Sequence, residues 1–535
     1  MGLISGSFAC FVLLSLLIYF IMPKQHRWMV LLAASYIYYL MICNKYIIYM
    51  LLTTVTTFVG GIWIENLCRK QKQVIKEHKL EWDRSQKKEY KKKNLAQRRW
   101  IMIAVLAFNF GILGFLKYFN FLAEGLAGFG KLIGIEAAVP QLGLLLPLGI
   151  SFYTFQTMGY LIDVYYEKVE AQRNPAKFAL FVSFFPQIIQ GPIALYDDLA
   201  KQLYEGHEFD YDRIKRGGLL ILWGIFKKLV IADRAVIMIQ TVTQDPTAFS
   251  GTYILLAALM YAIQLYADFS GGIDIVRGIA EMFGIIMAEN FRRPYFATSL
   301  TEYWHRWHMT LGNWVRTYVF YPLSISKTFL NMGKWMKKHC GVHVGKVVPT
   351  SLASLITFLI IGIWHGANGK YIAFGLWNGL VILLAELLRP LNDKVVAVLS
   401  IRRESKLHKI VCMIWTFFLV LVGYYFDIAQ NFTSAIYMMV QSVTDFHWSD
   451  LVANTQLYRG FGIGRWDYLI IALGTVTMFV VSLIQERKDC AIRDLLMEKN
   501  IPIQWFCYLT GIFAILLLGH YGPGLNPADF VYMQF

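Results

Sequence analysis

Charge is what this sequence has least of. Asp, Glu, Lys and Arg supply 16% of its 535 residues, against about 25% in a soluble globular chain, so most of the molecule cannot face water. Cysteine is sparse as well. The seven are scattered, odd in number and free of any C-x-x-C pair, which excludes a disulfide framework and a cysteine zinc site. His339 and His343 stand four residues apart beside Cys340, but no third or fourth ligand accompanies them and no metal is expected. The chain lacks a Gly-x-Ser-x-Gly elbow, a P-loop and a Rossmann fingerprint, so neither a serine-nucleophile hydrolase nor a nucleotide-binding fold is indicated. It also lacks the short alternating segments of a membrane β-barrel and the internal repeat of many transporters.

What fills the space is apolar. Hydrophobic residues make up 57% and aromatics 16%, with a mean hydropathy of +0.46. Long runs recur that can cross a hydrocarbon core of roughly 30 Å, and most are apolar all round rather than on one stripe. The fold class expected is an all-α polytopic membrane protein, with roughly ten to twelve crossings plus re-entrant pieces. The net charge of +16 is concentrated: residues 69–99 carry thirteen Lys or Arg against four acids. Only two aromatics, Trp82 and Tyr90, lie among them and no folded basic domain is visible, so a cytoplasmic loop is expected and nucleic-acid binding is not. Contact with anionic lipid headgroups is a further expectation for that loop. Rich in Lys, Glu and Gln, with no Gly or Pro, it should form a helical hairpin or one long surface helix. Lys24 and Arg27, between the first two spans, place the N-terminus outside by the same rule. A division into 1–99, 100–400 and 401–535 is expected.

Several spans carry polar groups. The 178–194 stretch holds Pro186, Pro192, Gln187 and Gln190, which argues for a broken or re-entrant helix packed against protein. Lys227, Lys228 and Asp233 should snorkel or pair. Asp268 reads equally as an intramembrane functional acid or as a cap on a helix ending before Gly271-Gly272.

The richest stretch is Tyr303-Trp304-His305-Arg306-Trp307-His308-Met309-Thr310-Leu311-Gly312-Asn313-Trp314. On one helix, Trp304, Trp307, His308, Leu311 and Trp314 form an apolar stripe, with Arg306, Thr310 and Asn313 on a more polar side and His305 between. A lone histidine there is most often a packed core residue. A second one, His365, sits in Gly362-Ile363-Trp364-His365-Gly366-Ala367-Asn368. A neutral imidazole is cheaper to bury than a charge, its pKa near 6.5 in water suits proton abstraction and return, and burial would lower that pKa and keep the base neutral.

Six segments carry a family resemblance: LPLGISFYTFQTMGYLIDVY (146–165), FFPQIIQGPI (184–193), GIFKKLVIAD (224–233), QLYADFSGGIDI (264–275), ENFRRPYFATSLTEYWHRWHMTLGNWVRTYVFYPL (289–323) and GIWHGANGKYIAFGLWNGL (362–380), with the ending FVYMQF (530–535). Their order resembles the membrane-bound O-acyltransferase family, especially the bacterial branch of alginate O-acetylation proteins and their D-alanyl-transferring relatives. His305, Gly312-Asn313 and the long 69–99 insertion depart from the commoner pattern of that branch. The resemblance implies transfer of an acyl group from a thioester to a hydroxyl, within a tunnel crossing a bacterial plasma membrane. It implies His365 as general base or acyl-handling residue and His308 as its assistant, with no permanently bound cofactor. Trp304, Trp307, Trp364, Asn368, Gln187 and Asp268 become candidate tunnel or supporting residues, with Gln156. The donor implied is acetyl-CoA or an acyl carrier protein. The acceptor implied is an exported or cell-wall polysaccharide, met with an extracytoplasmic acetyltransferase partner. D-alanyl transfer to teichoic acid stands as an alternative, and a non-catalytic exporter or flippase as another from a different class.

Overall fold

The computed structural model describes residues 2–132, 134, 142, 143, 146–452, 460–522 and 530. It is 81% helical, without strands among the described residues. The last five residues of the FVYMQF ending lie outside them. Among the described residues, eight helices are long and apolar enough to cross a membrane, and the shorter Gly6–Ile21 is apolar too. The chain is therefore an all-α polytopic membrane protein. The larger number of crossings expected counted segments such as Ile150–Tyr165, whose 16 residues reach only about 24 Å at 1.5 Å per residue. Two compact units divide the chain: Met1–Gly217 with Ile279–Ala288, and Gly218–Gly278 with Glu289–Phe535.

In the first unit the basic stretch is a helical hairpin, made by extending Ile47–Glu77 and Arg84–Leu132 beyond their apolar parts. Its charges are met by acids on either side of the pair. Glu65, mostly buried, accepts from Arg69, Arg173 and the Ala171 N–H, while Glu167 takes Lys72 and Arg98. The stretch at 175–190 is broken as its prolines require. Pro175–Ser183 ends at Phe184, whose ψ of 110° is extended, and Phe185–Gln190 follows. Backbone groups freed in an apolar surround must find partners within the protein. Phe185 N–H donates to the Ser35 hydroxyl, Gln156 Nε2 to the Phe181 carbonyl, and Gln187 Nε2 to the Pro192 carbonyl. Both glutamines thus stitch the broken backbone. At Gly149, which opens Ile150–Tyr165 with φ +70°, a Cβ would sit 2.7 Å from the Ile188 carbonyl oxygen, so only glycine fits.

In the second unit Lys227–Ala232 is a π-helix between Tyr211–Phe226 and Asp233–Gln244. It turns two adjacent lysines inward. Lys228 Nζ lies 2.6 Å from Asp268 and 2.8 Å from Asp233, all essentially unexposed. Lys227 Nζ donates to Ser270 Oγ and Asp274, each at 2.7 Å. The lysines pair instead of snorkelling, because an ammonium taken out of water needs a carboxylate partner to offset the lost hydration. The helix Gly251–Met282 runs unbroken through Gly271-Gly272, so Asp268 caps nothing. Val342–His365 and Gly369–Leu387 pack at backbone distance: a Cβ on Gly362 would meet the Tyr371 carbonyl at 2.2 Å, and one on Gly375 the Phe358 carbonyl at 2.5 Å. Small residues at such crossings let membrane helices approach closely, and this one fixes where His365 emerges.

Candidate active site

The aromatic stripe is not one helix. Leu300–Arg306 ends, Trp307 is extended, and His308 takes the left-handed conformation (φ 44°, ψ 52°) before Met309–Val315 begins. For a non-glycine residue this costs on the order of 1 kcal/mol, so something must hold it. The neighbouring segment does. Met309 N–H donates to the Asn290 carbonyl and Arg292 N–H to the Arg306 carbonyl, both at 2.9 Å. The break still buries Trp307, His308, Leu311 and Trp314, as the stripe predicted, and leaves His305 exposed. Thr310, expected on the polar side, is buried too, because its hydroxyl is bonded inside.

That bond fixes the chemistry of His308. Asn290 Oδ1 lies 3.1 Å from the Thr310 backbone nitrogen, 2.8 Å from the Thr310 hydroxyl and 3.0 Å from His308 Nδ1. A backbone N–H can only donate, so the Asn290 atom facing it is the carbonyl oxygen. That oxygen can only accept, so His308 carries its proton on Nδ1 and its lone pair on Nε2. Burial, and secondarily the charge that His365 would carry, hold the His308 pKa down at about 3. The imidazole is a neutral acceptor at any physiological pH.

His308 and His365 line the same narrow cavity of about 50 Å³, together with Trp304, Trp307, Tyr303 and Asp427. The ring of Phe269 stands edge-on 5.0 Å from His308. Trp364 lies between the two histidines, 6.3 Å from His308 and 5.1 Å from His365 by ring centroids, without lining the cavity itself. Phe374 and Tyr371 flank His365 at 5.5 and 6.0 Å.

Four candidate residues are not brought there. Gln156 is in the first unit and holds the Phe181 carbonyl. Gln187 belongs to the first unit and holds its own backbone. Asp268 is committed to Lys228. Asn368 caps Gly369–Leu387 by accepting from Lys370 N–H. Sequence reasoning missed four members of the site. Asn378 accepts from Trp304 Nε1 at 3.0 Å. Tyr424 bonds Tyr303 and Tyr295 at 2.8 and 3.0 Å. Asp427 accepts from Tyr261 at 2.5 Å, and Asn290 orients His308. An acid closing the apolar run 410–427 was the available signal for Asp427. Among the described residues no group of three His, Cys, Asp or Glu could hold a metal ion.

Two histidines lining one small aromatic cavity among membrane helices is an arrangement suited to acid–base chemistry. The comparisons narrow it. Residues 167–427 match the membrane-bound O-acyltransferase family. The chain is 32% identical to the probable alginate O-acetylase AlgI of Pseudomonas syringae pv. tomato, over 71% of this chain and 67% of that protein. It is 30% identical to the peptidoglycan O-acetyltransferase of Helicobacter pylori over 64% of each. Its identity to the teichoic acid D-alanyltransferase of Bacillus subtilis is 26%, over 54% of this chain and 69% of that one. The chain belongs to the membrane-bound O-acyltransferase family, and is a multi-pass O-acyltransferase.

Proposed function

We propose that this enzyme moves an acetyl group from a cytoplasmic thioester to hydroxyls of an exported or cell-wall polysaccharide, with His308 and His365 as its catalytic pair. The observation that carries the reading is that His308, its tautomer fixed by Asn290, lines the same cavity as His365. In this reading His308 takes the acceptor hydroxyl proton as general base. The freed oxygen attacks the thioester carbonyl beside His365, the C–S bond breaks, and the leaving thiolate recovers the proton from His308. Trp304 and Trp307 form the cavity wall and exclude water. The acetyl group is favoured by the acetylase relatives, which match this chain at higher identity than the D-alanyltransferase does. The donor in this reading is acetyl-CoA or an acetylated carrier protein, and an extracytoplasmic acetyltransferase completes delivery to the polymer. Orientation follows the charge: the 69–99 hairpin in the cytoplasm and the N-terminus outside a bacterial plasma membrane.

The test is His365→Ala in cells, with ester-linked acetate on the polymer and protein in the membrane fraction measured together. Loss of acetate at normal membrane abundance is expected, and wild-type acetate would refute the assignment. Transfer that required a carrier protein charged with D-alanine would move the reading to the teichoic acid branch.

A further inference from the structure

A second cavity in the same unit, of about 780 Å³, shares no lining residue with the one around the histidines. Its volume lies within the roughly 300–1,000 Å³ of sites that hold a small organic molecule. Two of its walls are the last two membrane helices, Arg465–Lys488 and Ile501–Leu518. The last is barely covered by protein, with Ile515 its only buried residue. The lining is segregated along these helices. Leu473 and Gly474 on one, and Ala514 and Leu518 on the other, make an apolar end. Lys488 and Lys499 stand at the opposite end. From Leu473 to Lys488 is about 22 Å at 1.5 Å per residue, which matches one leaflet, half of the ~40–45 Å bilayer with its headgroups.

The charges point the same way. Seven basic residues line the cavity against two acids. Arg292 and Arg293 are committed to Asp489 and Glu486, and Lys227 to Asp274. Lys488 and Lys499 have no carboxylate partner among the described residues, and Arg277 Nε on the wall is buried without a hydrogen-bond acceptor. We infer that this cavity seats one anionic phospholipid, its acyl chains along the apolar end and its phosphate between Lys488 and Lys499. An apolar space of this size between membrane helices has to be filled, and a diffusing phospholipid matches both its length and its polarity. A thioester donor held there would not touch either histidine. The seat does reach the active site indirectly, because Asn290, which orients His308, is on its wall.

The experiment uses the full chain, delipidated in a neutral detergent, with lipid retention read by native mass spectrometry. Phosphatidylglycerol and phosphatidylcholine of identical chains are offered, alone and with inorganic phosphate or coenzyme A as competitors. Retention of phosphatidylglycerol over phosphatidylcholine by about thirtyfold is expected from two surface lysines. Lys488→Gln with Lys499→Gln should bring that preference to within about twofold, leaving phosphatidylcholine binding unchanged. Ala514→Trp, which fills the apolar end, should lower retention of both lipids. Equal retention of the two lipids by the unaltered protein would overturn the inference. So would displacement of phosphatidylglycerol by phosphate or by coenzyme A, which would mark an anion or donor site. Should the tryptophan variant fail to fold, the exposed lysine pair still decides.

Discussion

Replacing Asn290 by Asp is the sharpest perturbation of the proposed chemistry. The carboxylate keeps an acceptor for the His308 Nδ1–H and for both Thr310 donors, so the local geometry survives. What changes is charge. A carboxylate about 4 Å from an imidazolium stabilises it by about 4 kcal/mol at an effective dielectric of 20, or about three pKa units. The His308 pKa of about 3 would rise to about 6. In the unaltered enzyme a base with a pKa near 3 gives acyl transfer that is flat from pH 5 to 9 as far as His308 is concerned. In Asn290→Asp the rate should fall on the acid side, with a midpoint near 6, and recover above pH 7. Asn290→Ala is the control: it orphans the buried donors, costs about 1–3 kcal/mol for each, and should lower the rate at every pH without moving a midpoint. The assay is transfer of labelled acetyl from a thioester to an oligosaccharide by detergent-solubilised protein across that range. An Asn290→Asp profile superimposable on the unaltered one would refute the role of His308 as a neutral base held by Asn290.

The same burial makes His308 a stability sensor. Its folded pKa of about 3 lies below the ordinary 6.5, so between those values the unfolded chain binds a proton that the folded chain refuses. Stability is therefore fully present above pH 6.5 and lost as pH falls toward 3, by about 1.4 kcal/mol per pH unit. His308→Asn should lack that component in unfolding measured from pH 7 to 5, and parallel slopes would contradict the buried neutral state. Asp268→Asn leaves Lys228 with Asp233 alone and should cost about 3 kcal/mol, seen as a lower midpoint in thermal unfolding. If the midpoint held while acyl transfer disappeared, the ion cluster would belong to the reaction rather than to the frame.

How far the sequence could be read depended on whether the signal was local. Membrane spans, the basic hairpin and the broken 175–190 stretch follow from composition and proline placement, which act over a few residues. The burial of His308 was legible for the same reason, although its mechanism was not: periodicity implies one helix, while the chain breaks at Trp307–His308 and holds the break with backbone bonds from a segment some eighteen residues earlier. Side-chain partners across such distances leave no periodic trace. Asp268 looked available for chemistry until Lys228, forty residues away, was seen to take it. Gln156 and Gln187 looked like tunnel groups because they are polar in apolar runs, yet each satisfies a carbonyl freed by the helix break. The distinction is one of partners. A buried polar group whose hydrogen bonds are spent on backbone or counter-charge maintains the fold, and one that lines a cavity beside a second titratable group is a candidate for reaction. By that criterion His308, its proton pinned on Nδ1 by Asn290 and its ring in the cavity that His365 also lines, is a stronger candidate than Asp268 or either glutamine.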